Sequence, residues 1–67
     1  MNDKQTQPRL LKTKQAAQYI GCSEWKLRTL VHDGRIPFIP LDEEGKVWRL
    51  DIHDLDRFIE TRRQVNT

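Results

Sequence analysis

The chain has 67 residues, a formal net charge of +2 and a single cysteine. This length allows one small domain, and one cysteine excludes an internal disulfide and a cysteine-based metal cluster. No apolar run approaches the ~18 residues of a membrane-spanning helix, and the polar residues 1–7 argue against a signal peptide. We therefore expect a cytoplasmic protein without a membrane partner, with frayed tails at residues 1–8 and 64–67 around one domain at 9–63.

The charge is unevenly distributed along the chain. Residues 9–39 carry a net charge of +4, whereas residues 40–60 carry −4. A basic half beside an acidic half suggests that a polyanion docks on one face. From charge alone, an ordinary solvated surface explains the same pattern equally well.

The first helix is predicted to begin near Thr13. Thr13 is a good N-cap residue, whereas Gln15 stands at capping-box spacing from Lys12; we favour Thr13 as the cap. Ala16 and Ala17 lie on the inner face, where small side chains allow a second helix to approach closely.

The second helix is predicted between two short breaks. Gly21 can end the first helix, Ser23 can cap the second, and Gly34 can close it. The apolar residues Leu27, Leu30 and Val31 repeat at helical spacing and form the inward stripe. The exposed side then carries Glu24, Trp25, Lys26, Arg28, Thr29 and His32.

The next segment favours a β-hairpin, called the wing. Two prolines forbid a helix over residues 35–41, residues 42–45 form a turn, and residues 46–50 alternate as a strand. Asp51 then caps a last helix, whose inward stripe is Ile52, Leu55, Phe58 and Ile59. The order helix, helix, hairpin, helix predicts an α+β, mostly α, winged helix-turn-helix.

Residues 11–59 resemble the excisionase family of small winged-helix proteins, relatives of the MerR-type DNA-binding head. The landmarks, in order, are Ala16-Ala17, Ile20-Gly21, Ser23, Leu27, Leu30-Val31, Gly34-Arg35-Ile36-Pro37, Gly45-Lys46-Val47-Trp48-Arg49-Leu50 and Asp54-Leu55. The resemblance implies that the second helix enters the major groove of DNA and that the wing touches an adjacent minor groove or the backbone. The acidic wing tip, residues 42–44, departs from relatives whose tips are often basic, so we expect Lys46 and Arg49 to make the wing's contacts.

Several side chains carry two interpretations. Arg28 could read guanine O6 and N7, or it could pair with Glu24 on the helix surface. Trp25 could contact a sugar or a thymine methyl, or fold back over the hydrophobic rim. Arg49 could clamp a phosphate, or it could pair with Asp51 or Asp54. Glu24 could accept a hydrogen bond from cytosine N4, or it could stabilise the start of the second helix. The predicted DNA-binding residues are Lys12, Thr13, Lys14, Ser23, Glu24, Trp25, Lys26, Arg28, Thr29, His32, Lys46 and Arg49.

Neither catalysis nor metal binding is predicted. His32 and His53 are separated by the hairpin without a supporting carboxylate–cysteine set, and Asp54 and Asp56 are typical of a helix start. We expect no enzyme activity, no metal, no cofactor and no small-molecule ligand.

The resemblance implies an excisionase, or recombination directionality factor, of a phage or mobile element. Such a protein bends double-stranded attachment-site DNA, assists a tyrosine-type integrase, and often binds beside neighbouring copies of itself, which would place it with the bacterial nucleoid. A small transcriptional repressor using the same surface is the main alternative; with eight residues between Phe58 and Thr67, we expect no ligand-sensing domain. A protein-interaction module that uses Trp25 and the acidic wing is a weaker alternative.

Overall fold

The computed structural model describes residues 8–65, which form three helices and a small antiparallel sheet. The elements, in chain order, are β1 Leu10–Leu11, α1 Thr13–Ile20, α2 Glu24–His32, β2 Ile39–Pro40, β3 Trp48–Asp51 and α3 Ile52–Arg62. This arrangement confirms the predicted winged helix-turn-helix. Of the tails predicted at 1–8 and 64–67, residues 1–7 and 66–67 lie outside the described residues, and residues 8, 64 and 65 are exposed and outside the helices and strands. Within residues 8–65, no helix is both long enough and apolar enough to cross a membrane.

The turn between α1 and α2 forms as the sequence predicts. Gly21 has a φ of 80°, a left-handed conformation that glycine adopts without a Cβ penalty, and its N–H donates to the Ala17 carbonyl at 2.8 Å. The Ser23 hydroxyl accepts from the Lys26 N–H at 3.0 Å and so caps α2. The buried Ala17 side chain lies where the two helices pack together.

The start of α1 differs from the favoured prediction. Lys12, not Thr13, is the N-cap residue, and its N–H donates to the Gln15 side-chain oxygen at 3.1 Å. The Thr13 hydroxyl is engaged elsewhere, because it donates to the Glu24 carboxylate on α2 at 2.8 Å. The prediction of Thr13 as the N-cap is therefore wrong by one residue, because the Thr13 hydroxyl bonds to α2 and does not cap α1.

The sheet contains a strand that the sequence did not reveal. β1 pairs with β3 opposite Leu50 and Asp51, and β2 pairs with the other edge of β3. The strand order β1-β3-β2 makes β3 central, so the wing is joined to the segment that enters α1. The third strand begins at Trp48, two residues later than the predicted Lys46, and continues to the cap of α3.

One continuous core holds the helices and the sheet together. Its fully or nearly buried members come from every helix, from β1 and β3, and from the loop before β2: Leu11, Ala16, Ala17, Leu27, Leu30, Ile36, Leu50 and Leu55. Cys22 and Val31 pack against this core but are only half-buried, although Val31 belongs to the predicted inward stripe of α2. The core therefore fixes which faces of α2 and β3 are left for a ligand.

Candidate nucleic-acid interface

The outer face of α2 is set by the leucines that anchor its inner face. Leu27 and Leu30 are buried, and the helical period therefore turns Trp25 and His32 directly away from the core. The Trp25 side chain is 72% exposed, so it does not fold over the hydrophobic rim. A shallow depression on this face is lined by Trp25, Arg28, Thr29, His32 and Asp33.

Some of the predicted polar groups already have partners within the helix. The Thr29 hydroxyl donates to the Trp25 carbonyl at 3.0 Å, which leaves its methyl group as the free part of the side chain. The Ser23 hydroxyl is used as the cap of α2. These two residues therefore shape the face more than they offer free donors to it.

Arg28 lies on the flank of α2 that faces α1. Its Nη2 donates to Glu24 Oε2 at 3.1 Å and to Thr13 Oγ1 at 3.3 Å. The ion pair predicted as the alternative to base reading is thus present, and the Arg28 side chain is still 56% exposed. The hydroxyl of Thr13 and the guanidinium of Arg28 together hold the pKa of the Glu24 carboxyl below its ordinary value.

A groove runs between the helices and the wing. It has a volume of about 270 Å³, and Lys12, Thr13, Arg28, Lys46, Val47, Trp48 and Arg49 line it. Four of these seven residues are cations, drawn from the α1 cap, from α2 and from the wing. Five of the predicted DNA-binding residues are brought together here, although they are up to 37 positions apart in the chain.

The wing contributes its two cations in different ways. Arg49 is half-buried in β3, and its Nη1 donates to the Trp48 carbonyl at 3.0 Å. Asp51, one of its alternative partners, is instead paired with Arg9 at 3.0 Å. Lys46 pairs with Glu44 of the acidic tip at 3.3 Å, where both side chains are more than 70% exposed.

Lys26 lies away from this groove. With Thr29 it borders a larger cleft of about 680 Å³ between α2 and α3, whose apolar lining includes Ile20, Leu30, Phe58 and Ile59. Lys14 is exposed on α1, close enough to Glu24 to contribute to lowering the pKa of that carboxyl. The predicted lysines and arginines therefore divide into a groove group and two lysines on the flanks, Lys14 and Lys26.

The structure adds two contacts around the interface that sequence spacing does not reveal. Val47 and Trp48 form part of the groove wall, and Phe38 packs edge-on against Trp48 with ring centroids 5.5 Å apart. Nothing in the sequence placed Phe38 against Trp48. Among residues 8–65, no three histidine, cysteine or acidic side chains are grouped as metal ligands.

A family model described as "Helix-turn-helix domain" matches residues 10–63, which contain every element of the structure. No curated protein and no solved structure matches the chain.

Proposed function

The chain belongs to the helix-turn-helix domain family, and from this premise we propose that it is an excisionase, a factor that directs site-specific recombination by binding specific sites in double-stranded DNA. Family membership supports the sequence-specific binding of double-stranded DNA, and members of this family are generally not enzymes. The role in recombination is the finer part of the proposal. It is supported by the ordered landmarks of residues 11–59 that resemble the excisionase family.

The observation that carries DNA binding is the groove beside α2. Four cations from three separated segments line it, and the exposed face of α2 adjoins it at Arg28. A recognition helix reads base edges, while neighbouring cations bind phosphates on either side. In this proposal α2 enters the major groove, and Lys12 and Arg49 contact the backbone at its borders.

Arg28 is assigned to base reading. A guanidinium can donate two parallel hydrogen bonds to O6 and N7 of guanine, which discriminates against the wrong base by about 1–3 kcal/mol. Trp25, which is 72% exposed on the same helix, is assigned to a sugar or a thymine methyl. Because Glu24 is already bonded to two neighbours, it is assigned to orienting Arg28.

Footprinting on DNA that flanks an attachment site tests the proposal. We expect several protected direct repeats, bending of the DNA, and stimulation of excision by a tyrosine-type integrase. Neighbouring copies would occupy adjacent repeats. Arg28→Ala should relax the preference at one base pair per repeat, with Arg57→Ala, an exposed arginine on α3, as the matched control.

The outcomes separate the possible functions. Protection of a single palindromic promoter site, without any effect on excision, would identify a repressor instead. Absence of DNA binding at low salt would leave only a protein-interaction role. If Arg28→Ala keeps the full sequence preference, the assignment of base reading to Arg28 is wrong even though the protein binds DNA.

A further inference from the structure

Three side chains from two helices meet at one point on the border of the groove. The Thr13 hydroxyl donates to Glu24 Oε2 at 2.8 Å and accepts from Arg28 Nη2 at 3.3 Å. The same Nη2 also donates to Glu24 Oε2 at 3.1 Å. The hydroxyl therefore closes a ring of three hydrogen bonds, and it is the only member of the three that both donates and accepts in it.

The ring occupies the atom that Arg28 needs for reading a base. A guanidinium has two edges with paired donors, Nε with Nη2 and Nη1 with Nη2, and both edges include Nη2. Because Thr13 and Glu24 both accept from Nη2, the ring competes with the two acceptors of guanine for this nitrogen. A guanine that accepts two hydrogen bonds from Arg28 must therefore compete with the bonds of the ring.

Displacement has different consequences for a base and for a phosphate. A single contact to a phosphate exchanges one charged pair for another at a solvated surface and gains little. A guanine edge supplies two parallel acceptors in the major groove, where water is excluded and hydrogen bonds to charged groups are stronger. The ring therefore lowers the gain from a non-specific phosphate contact, whereas a matching guanine edge supplies two hydrogen bonds in its place.

We infer that Thr13 is a positioning residue that determines sequence specificity, because its hydroxyl keeps Glu24 on Arg28 until a guanine edge replaces the pair. The inference rests on the proposed function. It changes the role of Thr13 from a direct DNA contact to a residue that acts through Arg28.

The test compares Thr13→Val, which keeps the shape of the side chain, with Thr13→Ser, which keeps the hydroxyl. In Thr13→Val we expect the ratio of specific to non-specific affinity to fall about threefold to tenfold, the range of one lost hydrogen bond. The slope of log affinity against log salt for non-specific DNA should steepen by up to about 0.9, because Arg28 loses one of its two partners at Nη2 and competes less with Glu24 for a phosphate. Thr13→Ser should retain the wild-type ratio and slope.

A second readout follows the ring itself in the free protein. The pKa of the Glu24 carboxyl, followed by NMR titration, should rise toward its ordinary value in Thr13→Val and remain low in Thr13→Ser. If Thr13→Val fails to fold by circular dichroism, Glu24→Gln replaces it, and this variant should show the same loss of specificity and the same steeper slope.

The results distinguish the two proposals. If the wild type discriminates between sites normally and Thr13→Val keeps that ratio, the inference is overturned while the proposed function stands. The inference also fails if Thr13→Ser loses as much specificity as Thr13→Val, since the hydroxyl would then be irrelevant. A wild-type chain that binds no DNA at low salt overturns both.

Discussion

The cations on the two sides of the groove differ in the number of bonds they make and in how well the core supports them. On the helix side, Arg28 bonds to groups on α1 and α2, and α2 itself is anchored by the fully buried Leu27. At the wing tip, Lys46 pairs only with the neighbouring acid Glu44, and both side chains are largely exposed. Arg49, deeper in the wing, is intermediate, because it is half-buried in the central strand.

The difference separates specificity from affinity. A side chain that reads a base must be positioned to within about 0.5 Å, and such precision needs a helix held rigidly by the core. A cation that only neutralises a phosphate needs proximity, and an exposed ion pair such as Lys46–Glu44 contributes about 0–1 kcal/mol. The helix side is therefore suited to reading sequence, and the wing tip to weak electrostatic contact.

The largest effect is expected from removing the anchor of α2. Leu27→Ala deletes a fully buried side chain from the centre of the core and should lower the free energy of unfolding by about 2–5 kcal/mol. Val47→Ala, an exposed position on the groove wall, is the matched control and should change it by about 0.5 kcal/mol or less. Urea unfolding followed by circular dichroism measures both.

If Leu27→Ala and Val47→Ala lowered the free energy of unfolding equally, the difference between the helix side and the wing would be contradicted. Such a result would mean that the wing and α2 contribute equally to the stability of the fold. The unequal support of the two sides would then not explain a division between base reading and phosphate contact.

A smaller effect is expected from the wing cations. Arg49→Ala should weaken binding to all DNA sequences alike and reduce the slope of log affinity against log salt by about 0.9, the value for one lost phosphate contact. Lys46→Ala should reduce this slope less, because the exposed Lys46 pairs with the neighbouring Glu44 and has no support from the core. Fluorescence anisotropy over a range of salt concentrations compares them.

The order of the two variants is the informative result. If Lys46→Ala reduces the slope more than Arg49→Ala, the wing tip carries the main phosphate contact. The assignment of that contact to the half-buried arginine would then be wrong.

Local chemistry explains why most of the fold could be predicted from the sequence. Gly21 and Ser23 act within a few residues of their own positions, as a left-handed helix end and a hydroxyl cap. Leu27 and Leu30 repeat at the helical period, so the inward face of α2 follows from spacing alone. These features were sufficient to predict the order of the helices and the wing along the chain.

Contacts between distant segments could not be predicted in the same way. The β1 strand has only two residues, Leu10–Leu11, too few to show alternation, and it forms because β3 offers an edge. The bond from Thr13 to Glu24 crosses between two helices and depends on their packing angle. The cationic types of the groove residues were visible in the sequence, but only the fold shows that Lys26 lies outside the groove.

The ion pair between Arg9 and Asp51 should make the stability of the fold depend on pH. Asp51 is only 7% exposed, caps α3 through the His53 N–H at 2.9 Å, and binds Arg9 across 42 positions of the chain. The hydrogen bond from Arg9, followed by that from His53, lowers the pKa of the Asp51 carboxyl below its ordinary value of 3.8.

Because that pKa is lowered on folding, the pair stabilises the protein above the unfolded-state pKa of Asp51. This stabilisation is lost as the pH falls through the lower folded-state value. Arg9→Gln removes the larger cause of the shift, so the pKa of Asp51 should rise and the melting temperature should fall less between pH 6 and pH 3 than in the wild type. Glu24 and Glu60 also have lowered pKa values in both proteins, so the difference between the two melting curves isolates the contribution of Asp51. Identical acid sensitivity would show that β1 is joined to the start of α3 by its backbone pairing alone, without help from the ion pair.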